Sequence, residues 1–248
     1  MKSILLYILF FPLIAISQSD KKIIVQPLFG LSISTVYGSG VDSLNQYYNT
    51  INNNYNDIDG VTSSFSIKPK FDITFGINFD YILRKKILFK TGVFYVKKGF
   101  ITNEKIKINI GLDSENKESK NINLNYFEVP LGLNYNLNKY IEVDAAIVLS
   151  VEQSNNVIIK TEREYQTYSS DNININTVRE KSISEKDYKE VFNTNPSTIF
   201  TGFKIGISYC INKIVLNVNI NRSGNFGAIF DKSNNHFLTS NMLLGYRL

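Results

Sequence analysis

The single histidine of this chain, His236, is the first residue to consider for catalysis. It stands at the predicted outer start of the last strand, directly after the polar segment at 222–235, so a Ser-His-Asp or Asp-His arrangement could form only at the outer rim of the fold. Nothing beside His236 indicates a nucleophile, and an exposed histidine without a catalytic role is the simpler interpretation. We therefore predict no catalytic residue and no enzymatic activity. A lipid-modifying or proteolytic site at His236 is the alternative.

Two other features could bind or react, and neither has the required pattern. Asn56 to Gly60 resembles a calcium loop, but its twelve-residue frame would begin at Tyr55 and end at Ser66, where carboxylates are needed. Cys210 is the only cysteine, so it cannot form an internal disulfide, and we interpret it as a small apolar filler. Gly-rich phosphate loops and clusters of Cys and His are also missing from the sequence. We expect neither a metal site nor a cofactor site.

A set of charged residues alternates in the sequence with apolar ones: Asp72, Asp80, Lys90, Glu128, Glu142, Asp144, Lys204 and Arg247. Mixed charges on one face predict ion pairs. If the basic turn at 84–86 is the centre of a hairpin, Asp80 lies opposite Lys90, and such cross-strand pairs stabilise a sheet. Carboxylates of the fourth and fifth strands could meet Lys204 or Arg247 in the same way.

The elements that position these charges are strands, because apolar residues recur at every second position. Between Phe71 and Tyr81, six apolar or aromatic residues alternate without a break with polar ones and glycine. The pattern recurs in eight stretches, at about 25–37, 71–81, 89–95, 127–137, 141–151, 199–209, 214–220 and 242–248. Short turns at 84–86, 138–140 and 211–213 alternate with long polar segments at 38–67, 100–121, 153–196 and 222–235.

These connections predict an all-β fold, an eight-stranded antiparallel transmembrane up-and-down β-barrel with short periplasmic turns and long extracellular loops. Eight strands leave an interior that side chains can fill, so we expect the charged network to plug the barrel. A narrow or gated small-solute pore is the alternative.

Tyrosines distinguish this barrel from a soluble barrel or sandwich with its apolar face turned inward. The predicted lipid-facing tyrosines lie at strand ends: Tyr81, Tyr135, Tyr209 and Tyr246 near one end, Tyr37 and Tyr95 near the other. Aromatic rings with a hydroxyl are enriched at membrane interfaces. A soluble barrel has no comparable reason to collect them there.

The first residues predict export. Lys2 precedes an apolar run that ends in Ala15-Ile16-Ser17, a small-x-small cleavage pattern before Gln18. A membrane anchor is the alternative, but the run is shorter than the roughly 20 residues that a spanning helix needs. We predict a signal peptide over 1–17 and an outer-membrane barrel domain over 18–248, in a Gram-negative-type envelope. The formal net charge of +5 is too small to indicate nucleic acid.

Two stretches carry a family resemblance: Thr91 to Gly99 reads TGVFYVKKG, and Tyr126 to Tyr135 reads YFEVPLGLNY. In order and spacing they resemble the PorT-like outer-membrane β-barrel family. The resemblance implies an outer-membrane barrel, and a few members are linked to protein secretion or gliding machineries. Pro130 removes a ladder hydrogen bond, so we expect a bulge or irregularity there.

The long loops are rich in Asn, Ser, Thr and Tyr, which make adaptable contacts at binding surfaces. We predict a structural, adhesive or envelope-assembly role in which these loops contact an envelope protein. The outer-membrane lipid and the barrel-assembly machinery are the other expected partners. The small-solute pore and the enzyme at His236 are the alternatives.

Overall fold

The computed structural model describes residues 23–56, 60–109, 112–168, 175–192, 199–224 and 234–248. The strands are β1 (Ile23–Gly38), β2 (Val61–Arg84), β3 (Ile87–Ile108), β4 (Ser114–Asn136), β5 (Ile141–Tyr168), β6 (Ile175–Lys186), β7 (Ile199–Ile211), β8 (Ile214–Ser223) and β9 (Asn235–Tyr246). The helices are α1 (Ser39–Asn56) and α2 (Tyr188–Phe192). Within these ranges, neither helix combines the length and apolarity needed to cross a membrane.

Eight of the strands close into a ring. The order is β1, β2, β3, β4, β5, β7, β8 and β9, with β9 paired back to β1, and every neighbouring pair is antiparallel. Closure leaves no free strand edge in the barrel wall, which is the condition for spanning a bilayer with strands. The predicted eight-stranded antiparallel up-and-down barrel is confirmed.

The strands are staggered around this ring. Starting at Ile23 and moving from partner to partner, the register returns to β1 at Ile33, ten residues further along. A stagger of this kind tilts the strands by roughly 40° from the barrel axis and keeps an eight-stranded interior narrow. Side chains from opposite walls can therefore touch.

The two faces of the wall have the polarity of a membrane protein. On β2, Phe71 is 70% exposed and Phe75 is 49% exposed, while Thr74 and Asn78 on the other face are each 2% exposed. The same holds around the ring, where large apolar side chains point outward and Ser, Asn, Asp and Lys point inward. A soluble barrel with an apolar interior is excluded, because the polar face is the buried one.

The three short turns lie where the pattern predicted them. β2 ends at Arg84 and β3 begins at Ile87, and β8 follows β7 after Asn212 and Lys213, with Asn212 at a φ of 54°. In the turn at 138–140, Asn138 Oδ1 accepts hydrogen bonds from the backbone N–H groups of Tyr140 and Ile141. This side-chain acceptor is the usual role of Asn in a turn.

The long segments are more ordered than predicted. The predicted loops at 100–121 and 153–196 are largely strand, because β3, β4 and β5 continue in antiparallel register far beyond the apolar belt. The sequence of these extensions lacks the alternation of apolar and polar residues, because charged side chains cover their outer face. Backbone pairing between strands does not require apolar side chains, so the strands continue without that pattern. The irregularity expected at Pro130 lies on its β3 side, where the pairing of β3 with β4 is interrupted between Thr91 opposite Leu131 and Phe94 opposite Glu128. A separate register shift between β4 and β5 lies at Asn125 and Tyr126.

We call the part of the wall beyond the apolar belt the outer sheet. It consists of residues 61–69, 100–108, 114–125 and 154–168 of β2 to β5, together with β6. β6 lies outside the ring and, among the strands of the described ranges, pairs with β5 alone. The predicted loop at 38–67 contains α1, which begins after Gly38; a φ of 130° at this glycine turns the chain out of β1.

Candidate functional site

A buried ion pair lies inside the barrel at the level where the outer sheet begins. The ammonium of Lys98 on β3 lies 2.5 Å from a carboxylate oxygen of Glu128 on β4, and Lys98 is fully buried. Ser150 Oγ on β5 donates to the same carboxylate at 3.0 Å, and Asn221 Nδ2 on β8 donates at 3.2 Å. Residues of three other strands thus converge on Glu128 of β4.

Aromatic rings enclose the Lys98 side of this cluster. The ammonium lies 5.7 Å from the ring centre of Tyr126 and 5.3 Å from that of Phe200. Cation–π contacts of this length stabilise a desolvated ammonium. Lys98 belongs to the first of the two family-like stretches, and Tyr126 and Glu128 to the second, so the fold brings both stretches into one site. The sequence marked the stretches but not this contact.

Two further ion pairs fill the barrel towards its short turns. Lys90 Nζ lies 3.0 Å from Asp144 Oδ1, and Arg247 pairs with Glu142 at 2.5 Å. Asn134 donates to Glu142 at 2.9 Å. The predicted meeting of a fifth-strand carboxylate with Arg247 is confirmed.

The partner predicted for Lys90 needs correction. Asp80 and Lys90 are direct cross-strand neighbours, as the hairpin predicted, but Lys90 extends across the barrel to Asp144. Neither carboxylate oxygen of Asp80 has a hydrogen-bond partner among the described residues. The Lys204 ammonium lies 5.2 Å from the ring centre of Phe94, and in the part of the chain that the structure describes it pairs with no carboxylate. Asp72 instead pairs with Lys70, at 3.0 Å.

An apolar cluster, which we call the cap, closes the barrel on the side of the outer sheet. Its fully buried members include Phe100, Tyr126 and Phe237 from the wall and Tyr188 from α2. From α1, Leu44 is buried in the cap, and Tyr48 stacks on Phe65 with ring centres 4.4 Å apart. Sequence reasoning missed the cap; the signals were the helical spacings of Val41, Leu44 and Tyr48 and of Tyr188, Val191 and Phe192.

The outward face of the outer sheet carries rows of paired charges. Glu115 lies between Lys105 and Lys117 at 2.9 and 2.8 Å, and Glu162 lies 2.9 Å from Lys181. Hydrogen bonds from Lys117 and Lys105 lower the pKa of Glu115 to about 2. The hydrogen bond from Lys181 likewise lowers the pKa of Glu162. These carboxylates therefore stay ionised in moderately acidic solution.

His236 lies at the rim of the barrel, as predicted. It is the cross-strand neighbour of Tyr37, with ring centres 5.5 Å apart, and its Nδ1 lies 3.2 Å from the carbonyl oxygen of Ser223. Cys210 is buried. Across the described ranges, no group of His, Cys, Asp and Glu is placed to hold a metal ion. Residues 57–59 of the calcium-like segment and residues 1–17 lie outside these ranges, so the expectation of no metal site there and the predicted signal peptide both stay predictions.

Aromatic and basic residues mark the turn side of the barrel. Tyr209 and Tyr246 are exposed on the outer surface, and the ring of Tyr140 lies 6.3 Å from that of Tyr209. Lys139 lies 4.7 Å from the ring of Tyr140, and Lys213 lies 5.5 Å from that of Tyr246. Such tyrosines with neighbouring lysines suit a membrane–water interface.

The fold and this interior define an eight-stranded transmembrane β-barrel whose lumen is filled by ion pairs and closed by an apolar cap. Residues 90–210, which include both family-like stretches, match a domain of unknown function (DUF7849). No curated protein matches the chain.

Solved structures that are similar to this chain include the following three. Ail, the attachment invasion locus protein of Yersinia pestis, is 12% identical with a TM-score of 0.38, over 91% of this chain and 98% of Ail. Neisserial surface protein A is 10% identical with a TM-score of 0.33, over 91% and 96% of the two chains. OprG from Pseudomonas aeruginosa is 10% identical with a TM-score of 0.32, over 93% and 98%. At such low scores, the fold assignment rests on the strand pairing of this chain itself.

Proposed function

We propose that this protein is an integral outer-membrane barrel without enzymatic activity, and that it uses the outer sheet to contact another protein in a structural, adhesive or assembly role. The observation that carries the proposal is the outer sheet itself: four strands, β2 to β5, continue beyond the apolar belt, and β6 is added at one side and pairs along one edge only among the described strands. A transmembrane barrel does not need this extension in order to span the bilayer. A protruding sheet with a free edge is suited to contact with another chain.

The cap supports this role because it holds the outer sheet in one orientation. Val157 of β5 and Phe100 of β3 are fully buried in the same cluster as Tyr188 and Leu44 of the two helices. A surface held in this way needs little ordering when it binds, and a small ordering cost favours affinity. The charged rows also keep the outer face soluble.

The envelope setting of the proposal follows from the sequence. The signal peptide over 1–17 exports the chain, the barrel-assembly machinery inserts it, and outer-membrane lipid surrounds the apolar belt. The PorT-like resemblance supports an assembly role, since a few members of that family are linked to secretion or gliding machineries.

The filled lumen argues against the pore. The Lys98–Glu128 pair and the cap lie on the path that a solute would take through the barrel. We expect the purified protein in a planar bilayer to show no steady single-channel conductance. A reproducible open channel would favour the pore.

The test is a pull-down of the tagged protein from its own envelope, compared with a variant that lacks residues 159–184. This deletion removes β6 except for Glu185 and Lys186, and it removes the last ten residues of β5, but it keeps Val157 and Tyr188 of the cap. We expect a stable partner to be lost with the deletion and retained by the control His236→Ala, which lies on β9. Heat-modifiable migration on a gel shows that each barrel is folded. If the deletion variant retains the partner, the outer sheet is not the contact surface.

A further inference from the structure

We propose that the free edge of β6 pairs antiparallel with β6 of a second copy of this chain, about a twofold axis at Ile183. The inference rests on the proposed function, because it takes the outer sheet as the contact surface and names its partner.

The edge is open along the whole strand. β6 pairs with β5 from Lys186 opposite Val157 to Ile175 opposite Tyr168, and in the described ranges no strand lies on its other side. Nearly all its side chains are exposed. An unpaired edge presents a row of N–H and C=O groups, and a strand of another chain can pair with them.

The sequence of this edge is complementary to itself. Residues 179–187 read R-E-K-S-I-S-E-K-D. When two copies run antiparallel with Ile183 opposite Ile183, Lys181 faces Glu185 and Glu180 faces Lys186. Arg179 then faces Asp187, which directly follows the end of β6, and the twofold axis makes each pair occur twice. Opposite charges at facing positions stabilise a sheet and like charges destabilise it.

The charges also select the register. A slip of one residue in one direction places Glu180 opposite Glu185 and Arg179 opposite Lys186. A slip in the other direction places Lys181 opposite Lys186 and Glu180 opposite Asp187. Both shifted registers put like charges opposite each other. Of these three registers, only the one centred on Ile183 avoids charge repulsion.

Ile183 gives the centre of this contact its apolar surface. Its side chain is 73% exposed on the charged outward face of the outer sheet, far from the apolar belt. In the proposed pair, each Ile183 covers the other. Lys181 already bonds Glu162 at 2.9 Å on one side, and Glu185 of the second copy continues this alternation on the other side.

The symmetry gives the contact an orientation. β5 runs without interruption from the barrel into the outer sheet, so β6 shares the strand direction of the barrel. A twofold axis that reverses β6 therefore turns the two barrels in opposite directions. The proposed pairing and the β5–β6 register together place Ile175 of one copy at about the same height along the strands as Glu152 of the other copy. Glu152 follows Val151, which lies at the edge of the apolar belt. The pair thus joins copies carried by two facing membranes.

The test uses a charge swap at one facing pair. Lys186→Glu and Glu180→Lys each place like charges opposite each other in a pair of identical chains. A mixture of the two variants restores opposite charges at both places. We expect wild type to dimerise in detergent by light scattering and to aggregate proteoliposomes. Each variant alone should dimerise about ten-fold more weakly, and the mixture should recover wild-type association.

Lys189→Glu is the matched control, because it makes the same charge change on α2, outside the strand. Heat-modifiable migration confirms folding, which matters for Glu180→Lys because Glu180 accepts a hydrogen bond from Tyr165 at 3.1 Å. A wild type that stays monomeric and leaves vesicles dispersed overturns the inference. So does a mixture that associates no better than its components. If the outer sheet nevertheless captures a different envelope protein that the 159–184 deletion loses, the proposed function stands and only the second copy is wrong.

Discussion

Lys98 and Glu128 form a buried ion pair of 2.5 Å between β3 and β4 in the barrel interior. The two residues come from the two stretches that resemble the PorT-like family. The strand β3 places the Lys98 ammonium inside the barrel, where it needs an acceptor because it is buried. Glu128 of the second stretch is that acceptor, so the two stretches are linked by the packing of the barrel interior.

Loss of one partner of this pair should be costly. Lys98→Met leaves the carboxylate of Glu128 buried without its cation, which typically destabilises a protein by about 3–5 kcal/mol. The double variant Lys98→Met with Glu128→Leu removes both charges and should recover part of the loss. Urea unfolding in lipid vesicles measures these free energies, with Glu190→Ala on α2 as a surface control. Strict additivity of the two single changes would show that the residues do not interact.

Asp80 and Asp144 should respond differently to the same substitution. Asp144→Asn removes the bonded partner of Lys90 and is expected to cost about 3 kcal/mol. Asp80→Asn removes a buried carboxylate that has no hydrogen-bond partner in the described part of the chain, so stability should change by less than about 1 kcal/mol or increase. The same unfolding measurement compares them. A larger loss for Asp80→Asn would mean that Lys90 relies on Asp80 instead.

The lipid-facing surface can be tested at Phe75. An arginine near the bilayer midplane of a barrel costs about 2–4 kcal/mol. Phe75→Arg should therefore impair refolding into vesicles, whereas Phe75→Leu should fold like wild type. Asn78→Arg is the comparison on the inner face, where the cost arises from overpacking. If Asn78→Arg impaired refolding much more than Phe75→Arg, the assignment of the lipid-facing and inner faces of β2 would be wrong.

The charged rows predict a pH dependence of the outer sheet. The pKa of Glu115 is lowered from 4.5 to about 2 in the folded protein, so its ion pairs stabilise the sheet above pH 4.5 and are lost as the pH falls towards 2. Hydrogen exchange of the β3–β4 hairpin, corrected for intrinsic rates, should show protection falling in that window. Glu115→Gln should flatten this dependence. Unchanged protection of the wild type down to pH 2 would contradict the prediction.

Sidedness can be read from proteolysis of whole cells. The outer sheet should face outward, so trypsin should reach Arg179, Lys181 or Lys186 on β6 before the turns at Lys139 and Lys213. Mass spectrometry of the released peptides identifies the sites. Cleavage confined to Lys139 and Lys213 would mean that the barrel has the opposite orientation.

Much of the barrel could be predicted from sequence because lipid imposes a period of two. Phe71 to Tyr81 must place alternate side chains in lipid, and the turn at 84–86 then brings Asp80 opposite Lys90. The strand extensions beyond the belt escaped prediction, because no lipid constrains their outward side chains. The family resemblance pointed to the two stretches that contain Lys98 and Glu128, but it did not predict that these two residues form an ion pair.

The sequence by itself thus determined the barrel, its lipid-facing residues and the short turns, since each depends on neighbours along the chain and on the solvent around it. The symmetric arrangement of charges about Ile183 is also visible in the sequence. Only the fold shows that β6 is an edge strand of the outer sheet. Tertiary structure alone decided that Lys90 bonds Asp144, that Glu128 holds Lys98 and that two helices cap the lumen. Lys90 and Asp144 lie on strands that are not neighbours, and the helices lie far along the chain from the wall residues that they cover. Lys98 and Glu128 lie on neighbouring strands but not at paired positions, so their contact depends on how the side chains pack inside the ring.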